Sequence, residues 1–298
     1  MGKTMIPSKV ESSLSPNKQK TIPIDEDRNI LSEFVQETFA MTKRLFIQLQ
    51  RRPSTLIAGI IQPFMWLVLF GALFYNAPQG LFEGELNYAK FLTPGIIVFT
   101  AFSGALNAGL PVMFDREFGF LNRLLVAPLA SRYSIVAAST IYIIVLSLIQ
   151  TAVIVGASTI LGASLPSAVG LSVISFIVFS IVLGVTGLSL GLAFALPGHI
   201  ELIAVIFVTN LPLLFASTAL APLSFMAKWL QIIVSLNPLT YAIEPIRYIY
   251  LNEDWSLSSL VLQTPWVDLS FGFALLLLLA FNAFILVAIQ PLLSRRFA

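Results

Sequence analysis

Six long apolar segments, separated by short polar connections, set the pattern of hydrophobic and polar positions along this chain. Each segment is long enough to cross a hydrocarbon core of roughly 30 Å as a single helix. Helices suit that environment because they satisfy the backbone hydrogen bonds within one segment. The pattern predicts an all-α membrane protein with six transmembrane helices, at residues 55–75, 91–113, 133–161, 168–196, 202–221 and 269–293.

Two segments precede the first span, and only the second has the periodic pattern of apolar residues that is typical of a helix. Residues 1–28 are polar, rich in Ser, Lys and Pro, and without period, which predicts a disordered cytoplasmic tail rather than a signal peptide. Residues 29–53 have a helical period, with Phe34 and Leu45 near an apolar face and Glu37 near a polar one. This pattern predicts an amphipathic helix on the membrane surface. The alternative is an ordinary solvated helix packed on a protein core.

A charged patch interrupts the apolar pattern between the second and third spans. Its first acidic residues are expected in or near the first turn of a helix over residues 114–130, where negative charge suits the helix dipole. A charged rim with aromatic and aliphatic side chains is typical of a docking surface. The alternative is a merely solvated loop. The predicted docking residues are Asp115, Arg116, Glu117, Phe118, Leu121 and Arg123.

The segment between the fifth and sixth predicted spans, residues 222–267, is too long for an ordinary connection and too apolar to lie in bulk water. Two helix-like stretches lie before and after a break at Asn237 and Pro238 in this segment. Neither stretch is long enough to span a bilayer. Because non-helical backbone at membrane depth is tolerated where protein surrounds it, we expect a re-entrant helix pair in the outer leaflet. A surface-lying amphipathic hairpin is the alternative. The residues singled out in this re-entrant segment are Asn237, Pro238, Tyr241, Glu244 and Arg247, with the last two paired at an i, i+3 spacing.

Composition and charge agree with a membrane location and predict its orientation. Of 298 residues, 57% are hydrophobic and 11% charged, with a mean hydropathy of +0.89, whereas soluble domains carry about 25% charged residues. Of the 17 Lys and Arg residues, nine precede the first span, three lie in the patch and two lie in the last five residues. Only three lie in the connections on the other side of the predicted membrane. This bias places both termini and the patch in the cytoplasm. The chain has no cysteine, so it forms no disulfide.

Few side chains offer catalytic or ion-carrying chemistry. No ionisable residue lies near the middle of a predicted span, which argues against proton-coupled carriers and ion pumps. The single histidine, His199, is interpreted as a solvated turn residue. No Walker motif, Gly-rich phosphate loop or metal-ligand cluster occurs in the sequence, so no cofactor is expected on this chain. Asn107, Asn210 and Asn282 are candidate pathway residues, because an amide in a span needs a partner or a wet cavity.

Three stretches of the chain resemble the ABC-2 family of ATP-binding-cassette exporter permeases. They read "LTPGIIVFTAF", "FDREFGFLNRLLVAPLASRYSI" and, near the end, "NPLTYAIEPIRYIYL". The order and spacing of the last two are specific, and the resemblance covers roughly Phe34 to the C-terminus. It implies that the charged patch is a coupling helix that docks on a separate ATPase, and that residues 29–53 form the connecting helix. It also implies that the segment after the fifth span closes the outer end of the pathway, and it offers no role for the N-terminal tail.

The resemblance implies a transport subunit rather than an enzyme. Two permease chains, identical or different, would form the pathway in membrane lipid, with ATP and Mg on partner ATPase subunits and no nucleic acid involved. The membrane would be a bacterial-type inner membrane or its organelle equivalent. The expected substrate is an amphipathic drug-like or lipid-linked molecule, although polysaccharide and lipo-oligosaccharide exporters share the architecture. The rivals from other classes are an energy-independent channel or scaffold, which the docking patch disfavours, and an intramembrane enzyme, which lacks its chemical groups here.

Overall fold

The computed structural model describes residues 30–74, 88–119, 133–252 and 254–297. The predicted tail and residues 120–130 of the predicted coupling helix lie outside the described residues. The helices are α1 (Ile30–Arg51), α2 (Pro53–Leu73), α3 (Tyr88–Leu106), α4 (Gly109–Glu117), α5 (Tyr133–Ile160), α6 (Ala168–Ala195), α7 (His199–Phe215), α8 (Lys228–Leu236), α9 (Pro238–Leu251) and α10 (Phe271–Phe297).

Five stretches of the described chain are helical, long and apolar enough to cross a membrane, which makes this a multi-pass membrane protein. They are 56–73, 90–117, 133–160, 168–195 and 271–291. The predicted fifth span, 202–221, does not reach this length, because α7 ends at Phe215 and has 17 residues. At 1.5 Å per residue it measures about 26 Å, slightly less than a hydrocarbon core. The expected count of six spans is therefore not confirmed.

The core of the bundle is built around α3, which packs against α2, α5, α6 and α9. Its side chains from Phe91 to Ala105 supply many of the most buried residues in the described chain. Helices α6 and α10 form the most extensive helix–helix contact in the described chain, and glycines let the two backbones approach. A side chain at Gly184 would collide with Asn282, and one at Gly191 would crowd Ile289. Small residues on α6 thus serve helix packing.

The helical run from Tyr88 to Glu117 is broken between α3 and α4. Pro111 has no N–H, so it cannot donate the helical hydrogen bond to the Asn107 carbonyl four residues earlier. Ser189 of α6 bridges the break, accepting from the Gly109 N–H at 2.9 Å and donating to the Leu106 carbonyl at 2.5 Å. A Cβ at Gly109 would lie 2.4 Å from the Ser189 carbonyl oxygen, so this contact requires glycine.

The segment before the last helix corrects the expectation of a purely helical chain. Strand β1 (Leu260–Gln263) pairs antiparallel with β2 (Asp268–Ser270), with Gln263 opposite Asp268. The Thr264 hydroxyl donates to the Val267 carbonyl at 2.6 Å and closes the turn between the strands. Pro265 within the turn and β-branched residues beside it favour this hairpin over a helix.

Candidate functional site

Three consecutive residues at the end of α4, Asp115, Arg116 and Glu117, each contact a different helix. We call these residues, with their partners Arg44 and His199, the α4 cluster. The Asp115 carboxylate accepts from the Arg44 guanidinium of α1 at 3.3 Å. Both side chains are about one-third exposed, at 31% and 37%. The predicted amphipathic helix is thereby tied to the charged patch.

Arg116 caps the C-terminal end of α6. Its guanidinium donates to the carbonyls of Ala193 at 2.8 Å, Leu196 at 2.6 Å and Pro197 at 2.7 Å. The last carbonyls of a helix have no partner within the helix, and that end carries partial negative charge. A cation with several donors satisfies both conditions, so Arg116 fixes the end of α4 against the end of α6.

Glu117 holds the beginning of α7. Its carboxylate accepts from the His199 backbone N–H at 2.7 Å and contacts the His199 Nδ1 at 2.5 Å. Gly198, the N-cap residue of α7, has no side chain to do this. The interpretation of His199 as a solvated turn residue is correct only in part: its side chain is 36% exposed, but the residue does not lie in a turn. It is the first residue of α7, and its ring also lies 5.2 Å from that of Phe114.

The α4 cluster also corrects the predicted start of the coupling helix. Asp115 and Glu117 lie in the last turn of α4, not the first turn of a new helix, so the dipole argument made from the sequence does not apply. The apolar run continues into the charged residues, and α4 ends at Glu117. Gly119, two residues further on, has a φ of +74°, which suits glycine after a helix end. Phe118 is 78% exposed. Leu121 and Arg123 lie outside the described residues.

A second polar cluster lies at the opposite end of the α3–α4 run. It consists of Asn237, Glu244 and Arg247, and we call it the α9 cluster. Asn237 separates α8 from α9, as expected, and caps α9 by accepting from the Leu239 N–H at 2.9 Å. Its amide nitrogen donates to the carbonyls of Leu213 at 2.8 Å and Ala216 at 2.5 Å. One amide therefore joins the end of α7 to the start of α9.

Glu244 and Arg247 form the pair expected from their spacing, and the pair is buried, with 9% and 6% of the side chains exposed. The Arg247 guanidinium also donates to the Thr218 carbonyl and, at 3.3 Å, to the Phe91 carbonyl. It lies 3.9 Å from the centroid of the Phe91 ring, a cation–π contact. Arg247 thereby connects α9 to the residues after α7 and to the start of α3.

The remaining residues of the predicted gate lie beside this cluster. Pro238 is the first residue of α9, where its missing N–H costs nothing. The Tyr241 hydroxyl donates to the Ser235 carbonyl at the end of α8. The Tyr88 hydroxyl donates to the Leu220 carbonyl at 3.2 Å, and burial raises the pKa of Tyr88 to about 12, so this donor stays neutral at physiological pH.

The three predicted pathway asparagines do not form one group. Ser103 of α3 brings two of them together: its hydroxyl donates to Asn210 at 2.9 Å, and its carbonyl accepts from Asn107 at 2.7 Å. Asn282 lies elsewhere, buried against Gly184 between α6 and α10. Neither amide atom of Asn282 has a hydrogen-bond partner among the described residues.

Sequence reasoning missed several residues that the structure brings to these sites. Arg44 and Ser189 make contacts that span 71 and 80 residues of sequence, respectively. Gln62 and Gln150 line a cavity of about 410 Å³ between α1, α2, α3 and α5. A polar residue inside a predicted span, such as Gln150, was the available signal.

Comparison with known proteins places this chain of apolar helices in a family. Residues 36–251 match the family model described as ABC-2 type transporter. The chain belongs to the ABC-2 type transporter family. That range includes α2 to α9, and both the α4 and the α9 cluster lie within it.

Several named ABC-2 relatives align over most of the chain. The transport permease ycf38 of Porphyra purpurea is 59% identical, covering 83% of this chain and 85% of that protein. Its namesake from Cyanophora paradoxa is 56% identical, with coverage of 84% and 86%. The doxorubicin resistance ABC transporter permease protein DrrC of Mycobacterium tuberculosis is 27% identical, with coverage of 74% and 79%. The chain is accordingly a transport permease of the ABC-2 type.

Proposed function

We propose that this chain is the transmembrane permease subunit of an ABC exporter, driven by ATP hydrolysis on a separate ATPase subunit. Two permease chains would form the outward pathway for an amphipathic drug-like or lipid-linked molecule. The family supports the permease role, and the name of the relative DrrC supports a drug-like cargo. Polysaccharide or lipo-oligosaccharide export is the alternative cargo class.

The α4 cluster is the observation that carries this proposal. A motor outside the membrane needs a rigid connection to several helices at once. Three successive residues of α4 contact α1, α6 and α7. Phe118, the next residue, is exposed, and the predicted coupling helix continues from there. A force applied to that helix would be transmitted to α1, α6 and α7 through Asp115, Arg116 and Glu117.

The α9 cluster supports a gate at the other end of the pathway. Helices α8 and α9 are nine and fourteen residues long, too short to span a bilayer. Asn237 and Arg247 join them to residues at the end of α7 and the start of α3. We infer that they form the re-entrant pair, and that the segment moves with α7 when the pathway opens.

Six crossings with both termini in the cytoplasm complete the proposal. α7 supplies the additional crossing, with residues 216–221 extending it toward the membrane surface. The cysteine-free chain makes this testable. A cysteine replacing Asn122 should react only with reagents from the cytoplasmic side, and one replacing Glu83 only with reagents from outside. External labelling at position 122 would contradict the topology.

Docking is tested by co-purification of an ATPase with the tagged permease. Phe118→Ala should weaken the association by about 2 kcal/mol or more, roughly thirty-fold, because a truncated aromatic at an interface removes a hot spot. The matched control is Phe225→Ala, since Phe225 is also exposed, at 51%, and lies at the opposite end of the bundle. Equal ATPase recovery from wild type and Phe118→Ala, at equal membrane abundance, would overturn the docking role of Phe118.

A further inference from the structure

The 410 Å³ cavity between α1, α2, α3 and α5 has a distinct chemical character. Leu45, Pro63, Phe99 and Ile143 are among the apolar residues around it, and all of its described lining side chains are uncharged. Its volume lies in the range of pockets that hold drug-sized ligands. An ionic group placed there would lose its hydration without gaining a counter-charge, so the cavity suits an uncharged molecule.

The polar wall of the cavity is built by Gln150. Gly59 lies four residues before Pro63 in α2, and Pro63 has no N–H to donate to the Gly59 carbonyl. The Gln150 amide nitrogen donates to that carbonyl instead, at 3.2 Å. Because a carbonyl can only accept, the other amide atom, Oε1, must be an acceptor. Gln150 is 6% exposed, and its Oε1 has no hydrogen-bond partner among the described residues.

Two glycines leave room for this arrangement. A Cβ at Gly59 would lie 2.6 Å from the Gln150 amide nitrogen, so the amide reaches the α2 backbone only because position 59 is glycine. A Cβ at Gly104 would lie 3.9 Å from the Gln150 Oε1 and 3.8 Å from the Ser147 hydroxyl. The Ser147 hydroxyl is also unpaired within the described chain. Space beside Gly104 is therefore bordered by two buried polar atoms that a ligand could satisfy.

An open apolar groove along the exposed face of α2 lies beside the cavity and is lined by residues of α2 alone. Gln62 lines both the cavity and this groove, which has a volume of about 340 Å³. The other groove residues are Met65, Trp66, Leu69, Phe70 and Leu73. The rings of Trp66 and Phe70 stack with their centroids 5.3 Å apart. A molecule with a polar end beside Gln150 could therefore lay an apolar tail along α2.

We propose that the cavity and groove together bind an uncharged amphiphile whose polar end carries a hydroxyl or amide N–H. That donor bonds to the Gln150 Oε1, and the apolar part lies against Trp66 and Phe70. Such a molecule has two sources, a transported cargo or a neutral lipid of the bilayer. Only the first source rests on the proposed export function, because binding itself requires no ATPase.

The test uses membranes from cells that express the full-length chain. A diacylglycerol with a diazirine in its acyl chain supplies a hydroxyl donor and a photoreactive tail. Two matched probes carry the same diazirine, one with the hydroxyl methylated and one with a phosphate in its place. After irradiation, the chain is purified and its labelled peptides are identified. The hydroxyl probe should label α2 at Met65 to Leu73 at least threefold more strongly than either matched probe.

A variant that leaves the fold intact tests the polar end. Gly104→Ala places a methyl group at ordinary contact distance from Gln150 and fills the space beside its Oε1 that the ligand donor would occupy, so labelling should fall by roughly three- to tenfold. Gly156→Ala is the matched control, because a Cβ there meets nothing within 4 Å in the described chain. Unchanged labelling of Gly104→Ala, or equal labelling by all three probes, would overturn the proposal.

Addition of ATP separates the two sources. A transported cargo should leave the site during turnover, so ATP should lower labelling in membranes that contain the ATPase partner. A resident lipid should label α2 equally with and without ATP. Either result supports the binding site, and a failure of export leaves the hydroxyl-dependent labelling unaffected.

Discussion

The α4 and α9 clusters hold opposite ends of the same helical run, and they differ most in burial. The Arg44–Asp115 pair of the α4 cluster is 37% and 31% exposed, whereas Arg247 and Glu244 are 6% and 9% exposed. Exposed pairs contribute little to stability and can exchange partners with water. Buried pairs leave an uncompensated charge when they separate. The difference in burial predicts that the pair at the α9 end contributes more to the stability of the chain than the pair at the α4 end.

The largest effect is expected at the buried pair. Arg247→Ala leaves Glu244 buried without a counter-charge and removes donors from the Thr218 and Phe91 carbonyls, so it should destabilise the chain by about 3–5 kcal/mol. The measurement is the melting temperature of detergent-solubilised protein, followed by size-exclusion chromatography. The double variant Glu244→Gln with Arg247→Met should recover part of the loss. A double variant no more stable than Arg247→Ala would show that the uncompensated charge is not the cause.

Asn237→Ala should have the next largest effect, about 1–3 kcal/mol. It removes the cap of α9 and leaves the buried carbonyls of Leu213 and Ala216 without their donor. Asn252→Ala is the matched control, since Asn252 is exposed at the other end of α9 and donates to a single carbonyl, that of Tyr248. Equal melting temperatures for the two variants would contradict the proposed joint between α7 and α9.

Arg116→Ala should cost about 1–2 kcal/mol, because several carbonyls at the end of α6 lose their donor but water can replace part of it. The informative readout is hydrogen exchange at the C-terminal turn of α6, which should accelerate. Arg51→Ala provides the control, being an exposed arginine in the last turn of α1. Unchanged exchange near Ala193 would show that Arg116 does not hold the α6 terminus.

The smallest stability change is expected at the exposed pair. Asp115→Asn should alter stability by less than about 1 kcal/mol, since the pair is partly solvated. If α1 transmits motion from the patch, transport should fall more than stability does. Transport per folded molecule is the quantity to measure, with Arg44→Lys as the conservative comparison. A large loss of stability in Asp115→Asn would remove the contrast between the two clusters.

The sequence predicted most helices but not the contacts that join them. α1 and the break at Asn237 follow from period and from Pro238, which are local signals. The position of Asp115 within its helix was predicted wrongly, because the charged residues were taken to start a new element. Helix α4 instead runs on to Glu117, where the partner of each charge lies on another helix. Nothing in the local pattern distinguishes these two cases.

The amino-acid sequence by itself determined that this protein is a multi-pass membrane protein of the ABC-2 type, since apolar length, charge bias and motif order are properties of the chain. Tertiary structure alone decided which polar groups meet. Arg116 meets the end of α6, and Gln150 meets the Gly59 carbonyl that Pro63 leaves free. Periodicity reports which face of a helix is apolar but not which helix packs there. Contacts across 80 or 91 residues of sequence depend on how the helices pack in three dimensions.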